Sequence, residues 1–162
     1  MEDHLTKTAM KPVLVPVDFS KPSEEALVWA GDLVARTGSP LIVVHVIHEV
    51  APGSYVRSDD GNFERYESAA ADMMDEFVKK AATRQPTVGR AEQLLVEGLP
   101  VTRILEVAEA KEARHIVMGS HGRTGLSHFM LGSKAERVVQ LAPIPVTIVK
   151  GPQPETHREN DR

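Results

Sequence analysis

Gly119, Gly122, Gly125 and Gly132 lie between an apolar run, Arg114-His115-Ile116-Val117-Met118, and a helical pattern that begins at Ser133. Glycine lets bare backbone N–H groups approach an anion. The first turn of a helix adds N–H groups without intrahelical acceptors and a positive dipole end. A strand, an unobstructed loop and a helix start, in that order, make a cradle for phosphate. Arg123 falls inside the loop, where a planar guanidinium suits phosphate. Ser133-Lys134-Ala135-Glu136 also reads as a capping box, with the Ser133 hydroxyl accepting from the Glu136 N–H. Such a cap leaves other first-turn amides for a ligand. The pattern points to a bound nucleotide.

Other chemistries fit less well. The P-loop needs G-x4-G-K-[ST], but here Ser133 precedes Lys134 and no glycine stands five positions before Gly132. The dinucleotide fingerprint G-x-G-x-x-G is missing, and these glycines follow the fourth apolar run rather than the first. A phosphoacceptor site wants clustered carboxylates around magnesium. Asp18 has no acidic neighbour, and the third run ends in Glu97-Gly98. Ser127-His128 comes without a nucleophile elbow. His121 and His128 read as solvated surface groups, and His45 as a satisfied core histidine.

The elements that must position the loop follow from periodicity. Pro12 to Val17 is a branched apolar run, a strand buried on both faces. It ends at Asp18, and Ser20 caps a helix through Ala26, Leu27, Ala30, Leu33 and Val34 that stops at Gly38. Pro40 to Ile47 is the second strand. A long loop is expected from His48 to Phe63, then a helix through Met73, Met74, Phe77 and Ala81 that Pro86 ends. Ala91 to Val96 is the third strand, and Val101, Ile104, Leu105 and Ala108 share a helix face. His115 to Met118 is the fourth strand, Ala135 to Ala142 the last helix, and Pro145 to Lys150 the fifth strand.

Strands alternating with helices predict an α/β fold, a single open five-stranded parallel sheet with helices on both faces. Order 3-2-1-4-5 sets Asp18 and Gly119 across one crevice, at the carboxyl ends of strands where the order reverses. The fifth strand is then an apolar edge, which invites a homodimer through residues 145–150; a higher oligomer remains open.

The bulk properties bound the partners. The chain has 162 residues, a net charge of −4 and no cysteine. One domain over 12–150 is expected, between a loose segment 1–11 and a charged tail 151–162. The charge disfavours broad nucleic-acid binding. Without cysteine there is no disulfide frame or thiol chemistry. Neither a signal peptide nor a membrane span is expected, and a cytoplasmic location follows as the expectation.

Three separated motifs agree in order and strand context. They are Pro16-Val17-Asp18-Phe19-Ser20, His45-Val46-Ile47, and G-x2-G-x9-G-S on Gly119, Gly122, Gly132 and Ser133. Together they resemble the universal stress protein family, from about Met10 to Lys150. The resemblance implies an adenine nucleotide α hydrolase-like, Rossmann-like three-layer sandwich, in the branch whose glycine motif binds ATP. It implies that Asp18 organises hydrogen bonds to adenine or ribose, that Val46 meets the adenine through its backbone, and that Pro16 and Val17 pack along the base. Met118 and Gly119 would line the ribose, Gly122 and Arg123 would wrap the phosphates, and Gly132, Ser133 and Lys134 would close on them.

Two functions follow. In the first, the chain is a stress-response sensor or regulator that binds ATP, or ADP or AMP, with Mg2+ optional on the phosphates. Occupancy would shift the loop from about Gly122 to Leu131, or the dimer, and a regulated protein would read the change. In the second, it is a slow ATPase or self-phosphorylating enzyme. Hydrolysis needs a positioned base, and Arg123 and Lys134 stabilise charge without activating water, so binding is the leading reading. An electron-transfer domain on another adenine cofactor is a weaker third.

Overall fold

The computed structural model describes residues 10–48, 55–57, 63–122 and 130–151. Arg123, Gly125, Ser127 and His128, and most of the two ends expected to be loose, lie outside the described residues.

Strand β1 (Val13–Pro16) runs through the middle of the sheet. It pairs in parallel with β2 (Leu41–Ile47) on one side and with β6 (His115–Gly119) on the other. Beyond these lie β5 (Glu92–Glu97) and β7 (Val146–Val149), giving the order β5-β2-β1-β6-β7. Counted along the chain within this sheet, that is the expected 3-2-1-4-5. A separate antiparallel pair, β3 (Tyr55–Arg57) with β4 (Phe63–Arg65), occupies part of the stretch read as a long loop. Strands of three residues are too short to declare a period of two, so the hairpin left no pattern to read.

Alternation along β1 divides the core. Val13, Val15 and Val17 face α1 (Lys21–Thr37) and α2 (Tyr66–Arg84), packing with Leu27, Ala30, Met74, Phe77 and Ala81. Leu14, with Ile42, Val44, Ile116 and Met118, faces α3 (Pro100–Ala110) and α4 (Ser133–Leu141) through Ile104, Ala108, Ala135 and Val138. Because both faces are covered, β1 reads as a continuous apolar run, Val13-Leu14-Val15-Pro16. Among the described residues, no helix is long and apolar enough to cross a membrane.

Capping follows the sequence at α1. Ser20 accepts the Ser23 N–H, and Gly38 closes the other end at φ 72°, donating its N–H to Val34 O at 2.8 Å. α1 is also tied to α2 by charge. The buried Glu24 carboxylate takes Lys80 Nζ at 2.7 Å and Lys21 Nζ at 3.4 Å, while Arg84 forks onto Glu25 at 2.7 and 2.8 Å. Burial alone would raise the Glu24 carboxyl, but the Lys80 hydrogen bond and the Lys21 charge outweigh it and hold it below the ordinary 4.5.

His115 on β6 reaches across to β7, with Nε2 2.7 Å from Thr147 Oγ1. Burial, helped by the Arg114 charge, lowers this imidazole below its ordinary 6.5. The folded chain therefore takes up this proton less readily than the unfolded one. Stability is complete above pH 6.5 and falls as the pH drops below it toward the folded value. Urea midpoints measured from pH 8 to pH 5.5 are expected to hold level and then decline, and His115→Gln is expected to flatten the decline. A decline unchanged in that variant would exclude His115 as its source.

Candidate functional site

The ladder between β1 and β6 registers Val13 with His115 and Leu14 with Ile116, and goes no further. The carboxyl halves of these two strands are left unpaired with each other. A cavity of about 430 Å³ opens beyond them, between the ends of β1, β2 and β6 and the start of α4. That volume lies within the range of small-molecule sites.

The β1 wall carries Pro16, Val17 and Asp18. The Asp18 carboxylate is held on one oxygen: the Ser20 N–H and hydroxyl both donate to Oδ1, at 3.1 and 2.5 Å. Its other oxygen borders Gly122, where an added Cβ would stand 2.5 Å from Oδ2. Asp18 and Gly122 thus meet across the crevice.

The β2 wall carries Val44, His45 and Val46. Val44 O accepts the Val17 N–H at 2.8 Å, and on the opposite side Ile47 O accepts the Gly98 N–H at 3.0 Å. Backbone groups of alternate residues point to alternate sides of a strand. The Val46 N–H and C=O therefore point toward the side that β1 leaves after Val17, where the cavity lies. His45 places Nδ1 2.8 Å from Val17 O and sets its ring 4.3 Å from that of Phe19, while also lining the cavity.

The β6 wall carries Met118, Gly119, His121 and Gly122. Gly119 has a packing role. A Cβ there would lie 2.7 Å from Pro22 C and 2.9 Å from Ser23 N, so a bare backbone is what lets the first turn of α1 lie against β6. Ser120 Oγ is 3.0 Å from His121 Nδ1.

The fourth wall is the start of α4, with Gly132, Ser133, Lys134 and Ala135. The expected capping box does not form. Gly132 is the cap residue, no side chain caps the helix, and the Glu136 N–H donates to Gly132 O at 2.9 Å. The Gly132 N–H is used to close the loop, donating to Ser120 O at 2.7 Å. With the helix starting at Ser133, the N–H groups of Ser133, Lys134 and Ala135 have no acceptor within it. They and the positive end of the dipole make this wall suited to an anion.

All the site residues expected from the sequence line this one cavity except Arg123, which lies outside the described residues. Ser23, His48, Tyr66, Pro100, Ile104 and Ala135 line it as well and were not foreseen. Pro100 and Ile104 sit in the first turns of α3, after β5, where the carboxyl-end rule for open sheets could have found them. Tyr66 opens α2 directly after the unforeseen hairpin, and nothing local marked it. His121 and His45 were read as surface and core, and both border the cavity.

Among the described residues, no group of three or more His, Asp or Glu side chains stands ready for a metal ion. The charged lining is Asp18 on the β1 wall and Lys134 on the α4 wall, and His45, His48, Tyr66 and His121 are the other titratable groups that border it. This arrangement can hold a neutral polar head near Asp18 and Val46 and an anion near α4.

A family model described as the Universal stress protein family matches residues 10–150. Universal stress protein MJ0531 of Methanocaldococcus jannaschii is 33% identical over 146 residues, which is 90% of this chain and 85% of the relative. Several other relatives are longer, and the chain spans roughly half of their length. Among solved structures, protein MJ0577, also of M. jannaschii, superposes with a TM-score of 0.64 at 28% identity, covering 90% of this chain and 99% of the other. A universal stress protein solved in complex with cAMP gives a TM-score of 0.61 at 24% identity, covering 90% of this chain and 100% of the other.

Proposed function

The chain belongs to the universal stress protein family, and from that premise we propose that it is an adenine-nucleotide-binding sensor or regulator of the ATP-binding branch. One observation carries the reading. A cavity of about 430 Å³ has a held carboxylate and free Val46 backbone groups at one end, and three unpaired helix-start amides with Lys134 at the other. The first end suits the donors and acceptors of adenine and ribose. The second suits phosphate. The cAMP held by a structural neighbour supports an adenine nucleotide as the guest. ATP is the leading member, with ADP and AMP behind it, and any Mg2+ would be carried chiefly by the phosphates.

The test is calorimetric titration with ATP, ADP, AMP and cAMP, with mass spectrometry of whatever small molecule co-purifies. Saturable binding of an adenine nucleotide below about 1 mM is expected. Lack of binding by all four at that concentration, with no purine recovered, would sink the proposal.

A second reading, slow ATP hydrolysis or self-phosphorylation, has His121 in its favour. This imidazole lines the cavity beside Ser120 and supplies a group able to accept a proton. Turnover of labelled ATP with magnesium, well above that of Gly122→Val, would favour the enzyme.

The proposed regulator works as a homodimer through β7. Among the described residues its outer edge has no neighbour in the sheet, and Val139 and Leu141 on the adjoining α4 are exposed. Sedimentation of the purified chain as a monomer at micromolar concentration would count against this.

A further inference from the structure

Among the described residues, Phe19 and Glu112 are the non-glycine residues with positive φ, at 64° and 50°. Glu112 follows α3 in an exposed turn, where a left-handed residue commonly ends a helix. Phe19 is different. A bulky aromatic is poorly suited to left-handed backbone, and this one sits between Asp18 and the cap residue Ser20. Residues held in such conformations cluster at binding sites and persist only where their surroundings impose them.

The imposing contacts are visible. The Phe19 ring lies 4.3 Å from the His45 ring on β2, and 5.5 Å from the Phe77 ring on α2 in an edge-on arrangement. His45 is itself pinned to Val17 O at 2.8 Å. The ring is thus anchored to two elements while its own backbone turns the chain out of β1. That turn presents the Ser20 N–H and hydroxyl to Asp18 Oδ1 and leaves Oδ2 against Gly122.

We infer that Phe19 is a positioning residue for ligand binding: its anchored ring holds the left-handed turn at the end of β1 that fixes the Asp18 carboxylate in the cavity. The inference rests on the nucleotide reading given above. Without the ring, Phe19 relaxes to negative φ, the peptide between Asp18 and Ser20 rotates, and the two Ser20 donors leave Oδ1. Asp18 stays in the chain but loses its fixed aim.

The experiment is a double-mutant cycle read by ATP calorimetry. Asp18→Asn is expected to weaken binding about tenfold, and Phe19→Ala by about the same factor. The double variant is expected to be no weaker than either single one, because each change removes the same fixed carboxylate. Phe19→Tyr keeps the ring and is expected to restore wild-type affinity. A residue that serves packing alone would lower the melting temperature and leave the Asp18 effect intact. Factors that multiply to about a hundredfold therefore overturn the inference. So does wild-type affinity in folded Phe19→Ala, or an Asp18→Asn variant that binds normally. Should Phe19→Ala not fold, Phe19→Leu keeps most of the volume, lacks the ring and is read the same way. If the unaltered chain takes up no ATP, the nucleotide reading falls and carries the inference with it. If it binds, and only the Phe19 variants fail to weaken it, the inference alone falls.

Discussion

Replacing Gly119 by valine is expected to lower the unfolding free energy by about 3 kcal/mol, a large share of what a domain of this size has. The new Cβ would lie 2.7 Å from Pro22 C and 2.9 Å from Ser23 N. These are backbone atoms at the start of α1 and cannot rotate away. α1 has to lift from β6, and Ala26, Leu27 and Ala30, each 0% exposed, lift with it. For about 160 residues the melting temperature should fall by roughly 6–12 °C. Two other glycines separate crowding from dihedral strain. Gly38→Ala meets open space but keeps φ 72°, and should cost about 1–2 kcal/mol. Gly89→Ala meets Ala82 Cβ at an ordinary 3.6 Å and should lie within about 0.5 kcal/mol of wild type. Urea unfolding of the three variants checks the order. A Gly119→Val chain as stable as Gly89→Ala would mean that α1 does not rest on β6 as described.

Gly122→Val should act on the site and leave the fold nearly untouched. Its Cβ would fall 2.5 Å from Asp18 Oδ2. A free carboxylate would swing aside, but this one is held by two donors from Ser20. Either those bonds break or the loop backs out of the cavity. In both cases the two walls no longer face each other at their present spacing, and the valine methyls occupy space meant for the ligand. ATP affinity is expected to drop on the order of a hundredfold, with the melting temperature of the ligand-free chain little changed. An affinity within about threefold of wild type would show that the Asp18–Gly122 contact is no part of the site.

Much of this was legible because the relevant residues obey local rules. Val13-Leu14-Val15 could only be a strand covered on both faces, and that fixed the middle of the sheet. Ser20 and Gly38 marked both ends of α1. Asp18 and Gly119 were set across one crevice by the rule that open parallel sheets bind at their carboxyl ends. What was misread depends on tertiary choices. Ser133 had the spacing of a cap, but the Gly132 N–H found Ser120 O, and the helix began one residue earlier than that pattern implies. Gly119 lines the cavity, and the packing against Pro22 that its missing Cβ also permits left no mark in the sequence. His45 satisfied the core reading through Val17 O and still borders the cavity, since one ring can do both. Phe19 carried no signal at all, because left-handed backbone at an aromatic residue is set by its neighbours.

The sheet is joined along four seams, and one of the two inner ones, between β1 and β6, is stitched only at its amino end. A guest lodged in the open part would touch both halves at once and complete the stitching in place of backbone rungs. Occupancy and cohesion then become one quantity: every tenfold excess of guest over its dissociation constant adds about 1.4 kcal/mol against unfolding.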